Sequence, residues 1–144
     1  MAQTARITLE NGNTIDIAFY PEVAPKTVES FVGLAKKGFY SGLTFHRVVP
    51  NFVVQGGCPK GDGTGGPGYT IPAEFNAKKH VRGSLVMARS QHPDSAGSQF
   101  YITYGPTPHL DNSYTVFGQV TSGMEHVDRI KQGDRMKTVE ILEG

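Results

Sequence analysis

Asn11-Gly12 sits between Ile7 and Leu9 on one side and Ile15, Ile17 and Phe19 on the other, runs in which apolar residues alternate with polar ones. An Asn-Gly pair supplies the backbone freedom of a tight turn, and a two-residue period is that of a strand with one buried face. The chain therefore opens as an antiparallel hairpin. Turn residues recur throughout, with 18 Gly and 9 Pro, and leave short strand candidates at 44–49, 52–55, 84–88, 99–103, 115–120 and 137–142. Val28, Phe31, Val32 and Ala35 recur at helical spacing between Pro25, suited to a first helical position, and Gly38, suited to an exit. A second helix is expected over 124–131. Seven or eight short strands and two helices, without strict βα alternation, argue for an antiparallel barrel or sandwich with helices covering its openings.

The 144 residues make one expected domain, 1–144, able to bury a core without disulfides or metal. Fourteen basic against thirteen acidic side chains give a formal charge of +1, too little to attract nucleic acid or an anionic membrane. No apolar run approaches the roughly 20 residues of a membrane span. A single cysteine, Cys58, and the lack of an apolar signal core in residues 1–10 make a reducing cytoplasm the expected location.

Several familiar patterns carry no chemistry. Gly61-Asp62-Gly63-Thr64-Gly65-Gly66 has G-x-G-x-x-G spacing, yet Pro67 and Gly68 follow, so no helix can start where a phosphate would need its N-terminus. His46, His80, His92, His109 and His126 include no i,i+4 pair and no close Cys/His cluster, so no metal site is expected. Cys58 has no local signature pairing it with a base, and Ser98 does not stand in a G-x-S-x-G elbow.

The informative stretch runs from Phe45-His46-Arg47 through Phe52 to Gln55-Gly56-Gly57. A strand period puts Arg47 on the face of Phe45 and Val49, an apolar setting for a permanently charged guanidinium. Either an ordinary ion pair or a functional arginine would answer it. Between Glu29 and Glu74 the only acidic residue is Asp62, while Asn51 and Gln55 are near; a carboxamide holds a guanidinium without neutralising it.

This run resembles the cyclophilin family of peptidyl-prolyl isomerases, whose signature is F-H-R-x-x-x-x-F-x-x-Q-G-G. The likeness continues in Met87-Ala88, Gly97-Ser98-Gln99-Phe100-Tyr101-Ile102 and Val116-Phe117-Gly118, covering nearly the whole chain, and the compact loops are similar to those of short bacterial members. It implies an eight-stranded antiparallel closed barrel capped by two α-helices. It also implies an enzyme that accelerates rotation of X-Pro bonds in flexible polypeptides and assists folding, with no cofactor. By the same resemblance Arg47 is the catalytic arginine, Phe52 the proline-pocket ring and Gln55 the arginine's support. Val53, Ala88, Arg89, Gln99, Tyr101, His109, Leu110 and Tyr114 fall on substrate-groove positions. Val53, Arg89, Tyr101 and Tyr114 depart from the usual methionine, asparagine, phenylalanine and histidine, and His109 from the tryptophan of the best-known animal members, whose absence implies weak cyclosporin binding. A monomer acting on proline-containing polypeptides is expected. The competing reading is a non-catalytic module that binds proline segments, from which an arginine backed by a glutamine is the distinguishing feature.

Overall fold

The computed structural model describes residues 3–143. All eight expected strands form: β1 (Gln3–Leu9), β2 (Thr14–Phe19), β3 (Arg47–Val49), β4 (Val53–Gly56), β5 (Ser84–Met87), β6 (Phe100–Thr103), β7 (Val116–Ser122) and β8 (Met136–Glu143). They make one sheet in the order β3-β4-β6-β5-β7-β2-β1-β8, with every pairing antiparallel.

The first hairpin closes as its sequence requires, by a longer route than a two-residue turn. Gly12 N–H donates to Leu9 O at 2.9 Å and Leu9 N–H to Asn13 O at 2.9 Å, with Gly12 alone at positive φ, 91°. That is a type I turn followed by a left-handed glycine.

Helix α1 (Pro25–Lys36) starts on proline and buries Val28, Phe31, Val32, Leu34 and Ala35. Ala24 offers no side-chain cap, and the role passes to a distant residue: Glu74 accepts the Thr27 N–H at 2.7 Å and the Lys26 N–H at 3.2 Å. A carboxylate there satisfies donors that the helix leaves free and complements its dipole. The ring of Phe31 packs against Phe19, Tyr40, Phe100 and Phe117 with centroid separations of 5.0–5.7 Å. Helix α2 (Met124–Val127) is shorter than the expected 124–131, because its continuation winds through tighter i→i+3 bonds, Arg129 N–H to His126 O and Ile130 N–H to Val127 O.

The expected closed barrel is not found: the sheet is an open half-barrel whose terminal strands β3 and β8 do not pair. The ends approach just before β3 and at the start of β8, where Phe45 N–H donates to Asp134 O at 2.8 Å and Met136 N–H to Leu43 O at 2.8 Å. β3 begins only at Arg47, beyond that meeting point, and its three residues are too few to run a ladder along β8. The late start also corrects the expected shared face of Phe45 and Arg47. Phe45 lies outside the strand and is fully buried, whereas Arg47 is exposed.

Strand alternation divides the sheet into two apolar faces. Val54, Leu85 and Ile102 enter the main core with α1, while Val53, Val86, Tyr101 and Val116 form a second cluster. Tyr20, Phe52, Ala88, Leu110 and Tyr114 pack on that second cluster from loops and turns.

Candidate active site

The second cluster is the floor of a cavity of about 200 Å³. Val53 and Tyr101 form its base from β4 and β6, Phe52 and Leu110 its apolar walls, and Ala88 and Tyr114 continue it towards Arg89. Arg47 and Gln55 stand at one edge. Leu110 arrives on a 3-10 turn, Pro108–Leu110, which the sequence reading did not anticipate because it is a single turn without periodicity.

Arg47 and Gln55 are directly opposed on β3 and β4. Nη1 of Arg47 donates to Oε1 of Gln55 at 3.3 Å, Nε2 of Gln55 donates to Oε1 of Gln99 at 2.9 Å, and Nε2 of Gln99 donates to the carbonyls of Gly63 and Gly65 at 2.9 and 3.0 Å. A relay of two amides thus anchors the arginine to the glycine loop. No acidic side chain among the described residues lies within ion-pair distance of Arg47. The guanidinium keeps its full charge and most of its five donors free at the cavity edge. Between the two readings left open by the sequence, the geometry matches amide support, not an ion pair.

The glycine loop is itself built to hold that relay. Cys58, free and buried, accepts the Gly65 N–H at Sγ (3.2 Å), and Asp62 accepts both the N–H and hydroxyl of Thr64. Gly57, in the signature, has φ of 90°, and a Cβ there would fall 2.6 Å from Ser98 O. Only glycine fits.

Arg89 is occupied otherwise. Nε and Nη2 donate to Ser113 O at 3.2 and 2.8 Å, Nη1 to Ser90 O and Gln91 O, and the guanidinium lies 4.5 Å from the centroid of Tyr114. It clamps the Tyr114 segment to the cavity and uses four of its five donors on backbone carbonyls, which leaves Arg47, with one bond, as the charged group most available there.

Two expected groove residues lie outside the cavity lining. Gln99 belongs to an adjoining cavity of about 360 Å³ bounded by the glycine loop and residues 95–99, which shares Gln55, Ala88 and Arg89 with the first. His109 is exposed and stacks on the Phe52 ring at the rim, 5.8 Å between centroids and 24° between planes. The structure also places beside the site, outside the cavity lining, two residues to which the sequence reading gave no role, His80 and Asp111. His80 is buried beneath Tyr101, and Asp111 follows the 3-10 turn. No sequence signal marked them, since their partners are 21 and 31 residues away. Among the described residues no group of three His, Cys, Asp or Glu side chains could hold a metal ion.

Residues 4–143 match the family model described as cyclophilin type peptidyl-prolyl cis-trans isomerase/CLD. The chain is 53% identical over 141 residues to the peptidyl-prolyl cis-trans isomerase B of Bacillus subtilis, covering 96% of this chain and 98% of that one. It is 49% identical to the peptidyl-prolyl cis-trans isomerase of Helicobacter pylori strain 26695, over 96% of this chain and 88% of the relative. Among solved structures, a cyclophilin-type isomerase of Cryptosporidium parvum superposes with a TM-score of 0.92 at 29% identity, over 100% of this chain and 99% of its own. The same enzyme in the presence of the dipeptide Ala-Pro gives 0.89 at 30% identity, over 98% and 99%.

Proposed function

This chain belongs to the cyclophilin-type peptidyl-prolyl cis-trans isomerases and has their activity, and from that premise we propose that the cavity beside Arg47 seats the proline ring while Arg47 lowers the barrier to rotation. Resonance gives the C–N bond partial double-bond character and a rotational barrier of about 18–20 kcal/mol. As the bond twists, the prolyl nitrogen becomes pyramidal and regains a lone pair. A donor placed there binds the twisted state and gains little from the planar one, and only such differential binding accelerates the reaction. The observation that carries the assignment is the amide-held, uncompensated Arg47 guanidinium at the edge of an apolar cup.

Phe52, Val53, Tyr101, Leu110 and Tyr114 hold the ring by apolar contact, and Gln55, Gln99 and the adjoining cavity take the flanking chain. One side of the bond is then fixed and the other turns, with no nucleophile or proton transfer required. The Ala-Pro dipeptide present with the Cryptosporidium relative supports proline-containing polypeptides as the substrate class. Cyclosporin is read as a weak ligand, through His109. A monomer in the cytoplasm remains the reading for assembly and location; no helix among the described residues is long and apolar enough to cross a membrane. A protease-coupled assay on a short X-Pro peptide, comparing the wild-type chain with Arg47→Ala, tests the assignment: turnover falls with the arginine, or Arg47 is not the donor.

A further inference from the structure

The Tyr101 ring faces the cup, but its hydroxyl is engaged elsewhere. Oη lies 3.0 Å from Nε2 of His80, a side chain 1% exposed, and Nδ1 of His80 lies 2.9 Å from Oδ1 of Asp111. The same carboxylate oxygen accepts the backbone N–H of His80 at 2.7 Å. That backbone bond, first among several causes, holds Asp111 below its ordinary carboxylate range, so the group is an ionised acceptor. It must take the imidazole proton on Nδ1, which leaves the Nε2 lone pair to accept from Tyr101. Both ring nitrogens are thereby satisfied. The half-buried imidazoles His46 and His126 are less complete: the buried Nδ1 of each has no partner among the described residues. A buried polar ring is retained cheaply only when fully bonded.

The three residues come from separate parts of the fold. Tyr101 is in β6 under the cup, His80 precedes β5, and Asp111 directly follows the 3-10 turn that carries His109 and Leu110. A second tie holds the same turn, Thr107 N–H donating to His80 O at 3.2 Å. We propose that the hydrogen-bonded chain Tyr101–His80–Asp111 sets the distance between the floor of the cup and its Leu110 wall, and that His80 is a positioning residue for isomerisation although it lies outside the cup. The inference rests on the reading of the cup as the proline site. The hydroxyl that makes it possible is the atom by which Tyr101 departs from the phenylalanine of the family pattern. Small misplacements of a binding surface are expensive in rate, so a device that fixes one wall acts on turnover without touching substrate.

The test is a double-mutant cycle on kcat/KM for one X-Pro peptide, using Tyr101→Phe, His80→Asn and the double variant, each assayed well below its unfolding midpoint. An asparagine at 80 can still reach Asp111 from the Nδ1 position but not Tyr101, so both single changes break the same bond. Each single variant is expected to lower kcat/KM about 3- to 10-fold, and the double variant to fall no further than about the worse single, because one interaction is lost in all three. Because every variant is assayed folded, a merely structural role would leave kcat/KM unchanged; imidazole nitrogen NMR checks the bond itself. Wild-type His80 should carry its proton on Nδ1, and the Nε2 resonance should move on Tyr101→Phe. Wild-type kcat/KM in either single variant, losses that multiply in the double, or a proton on Nε2 would each overturn the proposal. Arg47→Ala is run beside them as a reference. If it too keeps full activity, the cup assignment itself fails; if it alone is inactive, only the relay is rejected.

Discussion

His109 lies nearly parallel to Phe52, with 5.8 Å between ring centroids and 24° between planes. The imidazole therefore extends the proline-pocket ring outward at the rim and covers little of the cup itself. A large ligand that crosses the rim should feel residue 109 more than a short peptide whose proline sits against Phe52 and Leu110. His109→Trp is expected to tighten cyclosporin by roughly 5- to 150-fold, the worth of about 1–3 kcal/mol for one indole hydrogen bond and added aromatic contact. Peptide kcat/KM should stay close to wild type. Inhibition titrations on both proteins check this, and equal inhibitor constants would remove His109 from the rim contact.

The amide relay gives a second expectation. Gln55→Ala removes the only hydrogen-bond partner that Arg47 has among the described residues and leaves Gln99 without its donor. The guanidinium would then sample many rotamers, and kcat/KM should drop about 10-fold, less than for loss of the charge itself. Gln99→Ala, one step further along, should cost less than Gln55→Ala. A reversed order, measured with the same peptide, would contradict a relay that runs from the glycine loop to Arg47.

Much of this was legible in the chain. The two-residue alternation around Asn11-Gly12 and the spacing of Val28, Phe31, Val32 and Ala35 marked β1, β2 and α1, because local periodicity decides those elements. Arg47, Phe52 and Gln55 were legible because one short hairpin, β3 to β4, presents all three. Closure of the barrel was not: whether β3 meets β8 depends on strand length and on turns 88 residues apart in sequence, Phe45 and Gly133. Glu74 capping α1 and His80 bonding Tyr101 were hidden for the same reason, since a long-range polar contact leaves no periodic trace.

Acid should destabilise the fold. Burial, outweighing Asp111, pushes His80 below the ordinary imidazole value of 6.5, and burial, followed by the nearby Arg47, does the same to His46. As pH falls through about 6.5 the unfolded chain takes up these protons while the native state resists, so stability declines from there down to the folded pKa values. Asp111, held below 3.8 first by the His80 N–H, adds a loss of the same sign at lower pH. Denaturant midpoints measured between about pH 7 and about pH 5 should fall with acidification. His80→Asn should flatten that slope, leaving the part due to His46. A midpoint independent of pH across this range would be the contrary result.

Isomerisation should be indifferent to chelators, because the proposed chemistry needs only a charged donor and an apolar cup. Thiol reagents should act slowly, if at all, on the native protein, since Cys58 is fully buried and its sulfur already accepts the Gly65 N–H. Alkylation followed by mass spectrometry, beside turnover in EDTA, checks both statements. Rapid modification of native Cys58 would mean that the glycine loop opens, and with it the anchor of Gln99.

The most direct measurement replaces Arg47. Its side chain is exposed and makes one hydrogen bond among the described residues, so Arg47→Ala should fold with a near-normal unfolding midpoint. Its kcat/KM on a short X-Pro peptide is expected to fall about 100-fold or more, the scale for removing one preorganised electrostatic donor. Arg47→Lys should also be poor, because an ammonium lacks the planar fork that Gln55 holds. A folded Arg47→Ala protein that turns the peptide over at a near-wild-type rate would contradict the account at its centre.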